Sequence, residues 1–151
     1  MSVTVYTGGK VSKAKGYAVA VAVIEGLPEG DVIAKTIHPI AQHPTPNSVA
    51  MIALTLGVGV ALAKGATDVQ VFTPSKNAAK AVDGTGGAKY ETARDAYLTA
   101  HAITWTRNLG AAGGSWSVGH RAAADMPRVA EAAADALKRA EGLLAPSGAL
   151  F

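Results

Sequence analysis

Hydrophobic and polar residues follow two periods along the chain, and together they predict nine elements. Short segments alternate with the period of two that is typical of strands, and longer apolar or amphipathic segments are typical of helices. The predicted strands cover residues 2–7, 17–24, 32–38, 68–73 and 102–107, and the predicted helices cover 47–64, 75–82, 90–101 and 125–141. The glycine-rich link after the first strand is interpreted as a hairpin loop.

The order of these elements predicts the topology of the sheet. Three strands joined by short links form an antiparallel meander, and strands that are reached through helices pair in parallel. The order β-β-β-α-β-α-α-β-α therefore predicts an α/β fold, with a mixed five-stranded sheet and helices on both faces. We expect one domain over residues 1–143 and a flexible tail at 144–151. Gly57 and Gly59 inside the first helix predict a close packing contact.

Composition agrees with a packed domain and excludes some chemistry. Of the 151 residues, 49% are hydrophobic and 17% are charged, which disfavours disorder. The absence of cysteine excludes disulfides and thiolate metal sites. The most apolar window, Val49 to Ala63, is short and contains glycines, and residues 1–10 lack the pattern of a signal peptide. We therefore expect a cytoplasmic protein without a membrane span.

The charge distribution has two interpretations. The net charge is +3, and lysines cluster at Lys10, Lys13 and Lys15, with Arg107 and Arg121 in a second region that is poor in acids. Such clusters are either solvated loop charges that keep the protein soluble or contacts to nucleic-acid phosphates.

Five segments, in order, resemble the strand ends and helix starts of the ribonuclease H family. They are VYTGG at 5–9, TPNSVAMIAL at 45–54, VFTPSKNAAKAV at 71–82, HAITW at 101–105 and PRVAEAAADAL at 127–137. The resemblance covers nearly the whole chain and implies a ribonuclease H-like fold. Enzymes of this family hold two magnesium ions on a cluster of carboxylates and cut the RNA strand of an RNA–DNA hybrid.

The resemblance also shows where this chain departs from the family. The positions that match the metal-binding carboxylates hold Gly8, Ala50, Pro74 and Ala133, and Asp135 is an alternative match for the last of them. Glycine, alanine and proline side chains carry no oxygen for Mg²⁺, which requires oxygen ligands. The resemblance therefore implies a degenerate member of the family that uses no metal or other cofactor and is not an enzyme.

Three functions remain open after the sequence analysis. The favoured one is a structural or interaction module whose emptied site docks a protein partner or a second copy of the chain. The alternative is nucleic-acid binding without cleavage, through Lys10, Lys13, Lys15, Asn47, Arg107, His120 and Arg121. Within this set, Asn47 matches an asparagine of the family, and His120, placed after the predicted fifth strand, matches a Gly-His pair. The third is an active nuclease with a rearranged site.

Overall fold

The fold is known from a computed structural model that describes residues 1–12, 16–39, 46–83, 101, 104 and 113–143. The strands are β1 (Ser2–Ser12), β2 (Tyr17–Glu25), β3 (Val32–Pro39), β4 (Asp68–Thr73) and β5 (Ser115–His120). The helices are α1 (Pro46–Ala63), α2 (Lys76–Asp83) and α3 (Pro127–Leu143), and a 3-10 turn at Ala123–Asp125 precedes α3. The tail expected at 144–151 lies outside the described residues.

The five strands form one sheet in the order β3-β2-β1-β4-β5. β2 pairs antiparallel with both β1 and β3, whereas β4 pairs in parallel with both β1 and β5. α1 and α2 pack on one face of this sheet and α3 packs on the other. The mixed five-stranded α/β sheet with helices on both faces is therefore confirmed.

β1 is longer than the sequence predicted, because the expected glycine-rich loop is part of the strand. Gly8 and Gly9 pair with Val21 and Ala20 of β2, and the pairing continues to Ser12. A Cβ atom at Gly9 would overlap the carbonyl oxygen of Val19 and would lie 2.5 Å from Val49 Cγ1 of α1. A glycine is thus needed at position 9, where α1 approaches the sheet closely.

The prediction of the fifth strand at 102–107 is wrong. Thr104 is helical, and the other residues of that range lie outside the described residues. The fifth strand is Ser115–His120, in a segment that the sequence analysis interpreted as a loop. Its register is fixed by hydrogen bonds at both ends: the Ser115 hydroxyl donates to Asp68 Oδ1 at 2.6 Å, and the Arg121 amide donates to the Thr73 carbonyl at 3.0 Å.

The core is divided between the two faces of the sheet. Valines and alanines alternate along β2, so that Ala22 faces α1 while Val19 and Val21 face α3. Small side chains on the α1 face allow the helix to lie close to the strands, and bulkier ones on the other face fill the space below α3. Close packing at α1 therefore follows from the alternation that the sequence shows.

α1 has the length and apolar composition of a membrane-crossing helix, and it is the one such helix among the described elements. Core helices of globular proteins pass the same test, and 61% of its apolar window is buried inside the protein. Its buried residues include an unbroken run from Asn47 to Leu54. α1 is thus the central helix of this fold, which explains why it is apolar nearly all round.

Gly57 provides a test of the close packing of α1. A Cβ atom at this position would lie 2.5 Å from Val5 Cγ1 and 3.0 Å from Ala22 Cβ. We expect Gly57→Ala to lower the free energy of unfolding by about 1–3 kcal/mol, because overpacking a buried contact outweighs the gain in helix propensity. Urea unfolding measures the change.

The control is Gly142→Ala, a helical glycine of α3 whose added Cβ would meet no atom within 4 Å. We expect it to raise the free energy of unfolding by up to about 1 kcal/mol through helix propensity alone. Equal effects of the two substitutions would contradict the close contact at Gly57.

Candidate functional site

The positions that the resemblance matches to metal-binding carboxylates lie close together, where β1 and β4 end and α1 begins. Gly8 lies in β1, Ala50 in the first turns of α1, and Pro74 directly after β4. All three line a groove of about 770 Å³, hereafter the groove, which also includes residues from the start of α2. Gly8 and Pro74 also line a smaller hollow below α3, together with Ala133. The structure therefore brings together the positions that sequence alone placed far apart.

The position of α3 that faces Gly8 is Val129 rather than Ala133. A Cβ atom at Gly8 would lie 2.7 Å from Val129 Cγ1, and both residues are buried. Ala133 lies one helical turn further along and lines the same hollow without being the residue in contact. The residue of α3 in contact with β1 at this point is therefore Val129, and the match of Ala133 to a carboxylate stays a prediction.

The residues at these positions do not fit a magnesium ion. Gly8 has no side chain, and Ala50, Pro74 and Val129 or Ala133 present only carbon atoms. Mg²⁺ takes oxygen ligands in an octahedral arrangement. Among the residues that the structure describes, no three acidic or histidine side chains come together in a group that could hold a metal.

The groove carries basic and amide side chains instead. Lys10 and Lys76 are exposed on its walls, and Asn47 and Asn77 line it beside Ser75. No carboxylate is among the described residues that line it. The side-chain charge at the groove is therefore positive, the opposite of a cluster that would hold metal ions.

Ser75 fixes the geometry between the two helices that begin at the groove. Its hydroxyl donates to Asn47 Oδ1 of α1 at 2.7 Å and accepts from the Ala78 amide of α2 at 3.0 Å. The second bond is an N-cap, which satisfies an amide that the helix itself leaves unpaired. Asn47 is thus held at the bottom of the groove with its acceptor oxygen occupied, so that its orientation is set.

α3 is held against the sheet beside Val129 by an ion-pair cluster. Arg128 Nη1 contacts Glu25 Oε1 at 2.6 Å and Asp31 Oδ2 at 2.8 Å, at the turn between β2 and β3. Hydrogen bonds to Asp31 and then to Glu25 raise the pKa of Arg128 above its usual value. Since Val129 follows Arg128 directly, this cluster helps to place Val129 over Gly8.

The remaining sequence-predicted residues fall into distinct groups. Lys10 and Asn47 line the groove. His120 and Arg121 lie at the end of β5; His120 is the last residue of that strand and is exposed, not part of a loop that follows a strand. The candidates outside the described residues are Lys13, Lys15 and Arg107.

Asp135 does not line the groove. Its carboxylate lies on the side of α3 next to β3, where Oδ2 contacts Lys35 Nζ at 3.6 Å and Arg139 Nε at 3.0 Å. The pairing with Arg139 one turn away is the one that the sequence predicts. The alternative match of Asp135 to a metal-binding carboxylate is therefore not supported by its place in the fold.

Sequence analysis missed Ser75, Lys76 and Asn77 as groove residues. The available signal was their position, since they follow β4 immediately and begin the next helix. In a parallel pair of strands, the residues that follow the strands gather at the same edge, and this edge is where ligand sites form in open α/β sheets. The sequence analysis used the position directly after β4 to single out Pro74, and the same reasoning applies to the three residues that follow Pro74.

Comparisons with known proteins agree with the fold. The structure resembles ribonuclease H1 from the halophilic archaeon Halobacterium salinarum, with a TM-score of 0.71, 22% sequence identity and coverage of 92% of this chain and 99% of that chain. A ribonuclease H1 isolated from compost by a metagenomic approach gives a TM-score of 0.72 at 16% identity, covering 92% of this chain and 97% of that one. The structure of that compost enzyme in complex with RNA/DNA hybrid gives 0.58 at 18% identity, covering 89% and 99%.

No family model matches the sequence, and no curated protein sequence matches it either. At identities this low, the structural likeness shows the fold alone. The chain therefore has a ribonuclease H-like fold.

The contact between Gly8 and Val129 can be tested with a double-mutant cycle. We expect Gly8→Ala to lower the free energy of unfolding by about 1–3 kcal/mol, because the new methyl group overlaps the Val129 side chain. Val129→Ala removes that overlap, so the double variant should lose less stability than the sum of the two single variants. Urea unfolding of all four proteins measures the coupling, and additive losses would show that the two positions do not touch.

Proposed function

We propose that this chain binds the sugar–phosphate backbone of nucleic acid in the groove and does not cleave it. The observation that carries the proposal is the groove itself, which has Lys10 and Lys76 on its walls, amide groups between them, and no carboxylate among its described lining residues. Among the functions left open by the sequence, this one fits the positive charge of the groove better than docking of an apolar protein surface.

Phosphate recognition needs positive charge and hydrogen-bond donors, and both are present here. Lysine ammonium groups bind phosphates as point charges, and amide side chains supply directional donors. α1 also begins at the groove, so the positive end of its dipole is nearby. A similarly folded ribonuclease H1 has been solved with an RNA/DNA hybrid, which supports hybrid duplexes as the first ligand to test.

Loss of cleavage follows from the lack of oxygen ligands. Two-metal hydrolysis stabilises the attacking and leaving oxygens between a pair of ions. With Gly8, Ala50 and Pro74 at the matching positions, the ions would have no side-chain ligands there. Lysines in the groove would repel divalent cations further.

A role in protein binding is a second candidate, and it is favoured by a different part of the molecule. β3 is an edge strand of the sheet, and Ile33 and Ile37 on it are 46% and 42% exposed. An edge strand with exposed apolar side chains can pair with a strand of another chain. In this second candidate function, the protein partner binds at the β3 edge and not in the groove.

Cleavage is tested directly with an RNA–DNA hybrid. We expect no products after long incubation with Mg²⁺ or Mn²⁺, because no carboxylate cluster is available to hold the ions. Gel electrophoresis of an end-labelled RNA strand is the measurement. A variant with Lys10→Ala and Lys76→Ala, purified identically, is the control for contaminating nuclease. Cleavage by the original protein that this variant lacks would overturn the proposal.

Binding is tested by fluorescence anisotropy with the same hybrid in the presence of EDTA. We expect binding that does not require a divalent ion and that weakens steeply with salt, since lysine contacts release counterions from the backbone. Replacing both Lys10 and Lys76 by alanine should reduce the slope of log K against log salt by roughly two, at about one per phosphate contact.

The matched control replaces two lysines outside the groove, Lys64 and Lys138, and so changes the net charge by the same amount. It should leave the slope close to that of the original protein. Equal effects of the two double variants would indicate non-specific attraction. Absence of binding at low salt would reject the nucleic-acid role and favour the β3 edge.

A further inference from the structure

One face of the sheet is only partly covered in the described part of the chain. α3 packs on β1, β2 and β3, whereas α1 and α2 pack on the opposite face of β4 and β5. On the α3 side, Gln70 of β4 and Ser117 of β5 are exposed neighbours in register. These two residues therefore mark an open area of the sheet on the α3 side, within the described part of the chain.

Next to the polar pair Gln70 and Ser117, this face of the sheet carries a set of paired residues that includes two aromatic side chains. Tyr6, Phe72 and Gly119 are partners across β1, β4 and β5. A Cβ atom at Gly119 would lie 3.4 Å from two ring atoms of Phe72, so the Phe72 ring packs closely over the backbone of Gly119. The rings of Tyr6 and Phe72 are stacked, with centroids 5.6 Å apart and planes 19° from parallel.

Arg121 completes a layered surface on this row. Its guanidinium carbon lies 4.1 Å from the Phe72 ring centroid and 5.5 Å from that of Tyr6. The residue is half-buried and follows β5 directly. A guanidinium group held over aromatic rings is attracted by their π-electrons and loses little further freedom when a second planar group stacks on it. We call Tyr6, Phe72 and Arg121 the platform.

The platform adjoins the groove. Tyr6 precedes Gly8 by two residues on the same face of β1, a distance of about 7 Å along a strand. A hollow of about 210 Å³ contains Tyr6 and Arg121, and the hollow below α3 contains Gly8. Met126 and Val129 line both hollows, which are therefore neighbours.

We propose that the platform is a stacking site for one unpaired nucleobase of a strand whose backbone lies in the groove. The inference rests on the proposed function and adds a preference, namely for duplexes that carry a single-stranded extension. Nucleobases stack on aromatic side chains and on guanidinium planes with little regard to sequence. The base would stack on the outer surface of the Arg121 guanidinium, and the rings below would hold that group in place.

The test compares a blunt RNA–DNA hybrid with hybrids that carry a short 5′ or 3′ extension containing 2-aminopurine. We expect one extended hybrid to bind on the order of tenfold more tightly than the blunt one, with quenching of the 2-aminopurine fluorescence by stacking. Arg121→Lys keeps the charge and removes the plane. It should bring the ratio of the affinities for the extended and blunt hybrids close to one and abolish the quenching.

Arg139→Lys is the matched control, because Arg139 is an exposed arginine of α3. It should leave both readouts unchanged, and a thermal melt confirms that each variant is folded. Equal affinity for blunt and extended hybrids, or a ratio that Arg121→Lys does not alter, overturns the platform and leaves the groove standing. If neither hybrid binds, the proposed function fails. The platform is then judged on a single-stranded oligonucleotide alone, where quenching that depends on Arg121 supports it and no quenching overturns it.

Discussion

Strand β1 is approached by a helix on each face, at distances that only glycine allows. Gly57 of α1 lies over Val5 on one face, and Val129 of α3 lies over Gly8 on the other. Both contacts place a side chain against a position without a Cβ atom, so each helix lies closer to β1 than a larger residue at Gly57 or Gly8 would allow. The site is a consequence of this spacing, because the same approach brings the first turn of α1 and the hollow below α3 to the end of β1.

A carboxylate at Gly8 is therefore disfavoured by the packing of α3. An aspartate at Gly8 would need space that the Val129 side chain occupies, and Val129 is itself buried in the core beneath α3. Restoring a carboxylate would require the helix to move or the valine to be reduced, at a cost typical of overpacked cores. The close packing of α3 on β1 and the presence of glycine at position 8 are thus linked, because both depend on the contact between Val129 and Gly8.

The alternation of apolar residues and the order of elements were sufficient to predict the sheet, because strand polarity depends on how strands are connected. The fifth strand was misplaced because local composition favours 102–107, whereas the position of β5 depends on contacts remote in sequence, such as Ser115 with Asp68. Such a contact leaves no trace in the local pattern. The platform could not be predicted for the same reason, since Tyr6 and Phe72 become neighbours only through parallel pairing of β1 with β4.

Binding a nucleic-acid backbone and cutting it place different demands on one site. A site can therefore bind nucleic acid without cleaving it. Binding requires only positive charge near the phosphates, which Lys10 and Lys76 offer as well as ions would. Cleavage additionally requires a deprotonated water in line with the scissile bond, and a bound metal supplies it by lowering the pKa of that water. A lysine ammonium is a point charge with three donors and no vacant coordination position. Under the proposed function, lysines in place of carboxylates and ions would attract phosphate without activating water. The proposed stacking site would add affinity that depends on neither the lysines nor a metal ion.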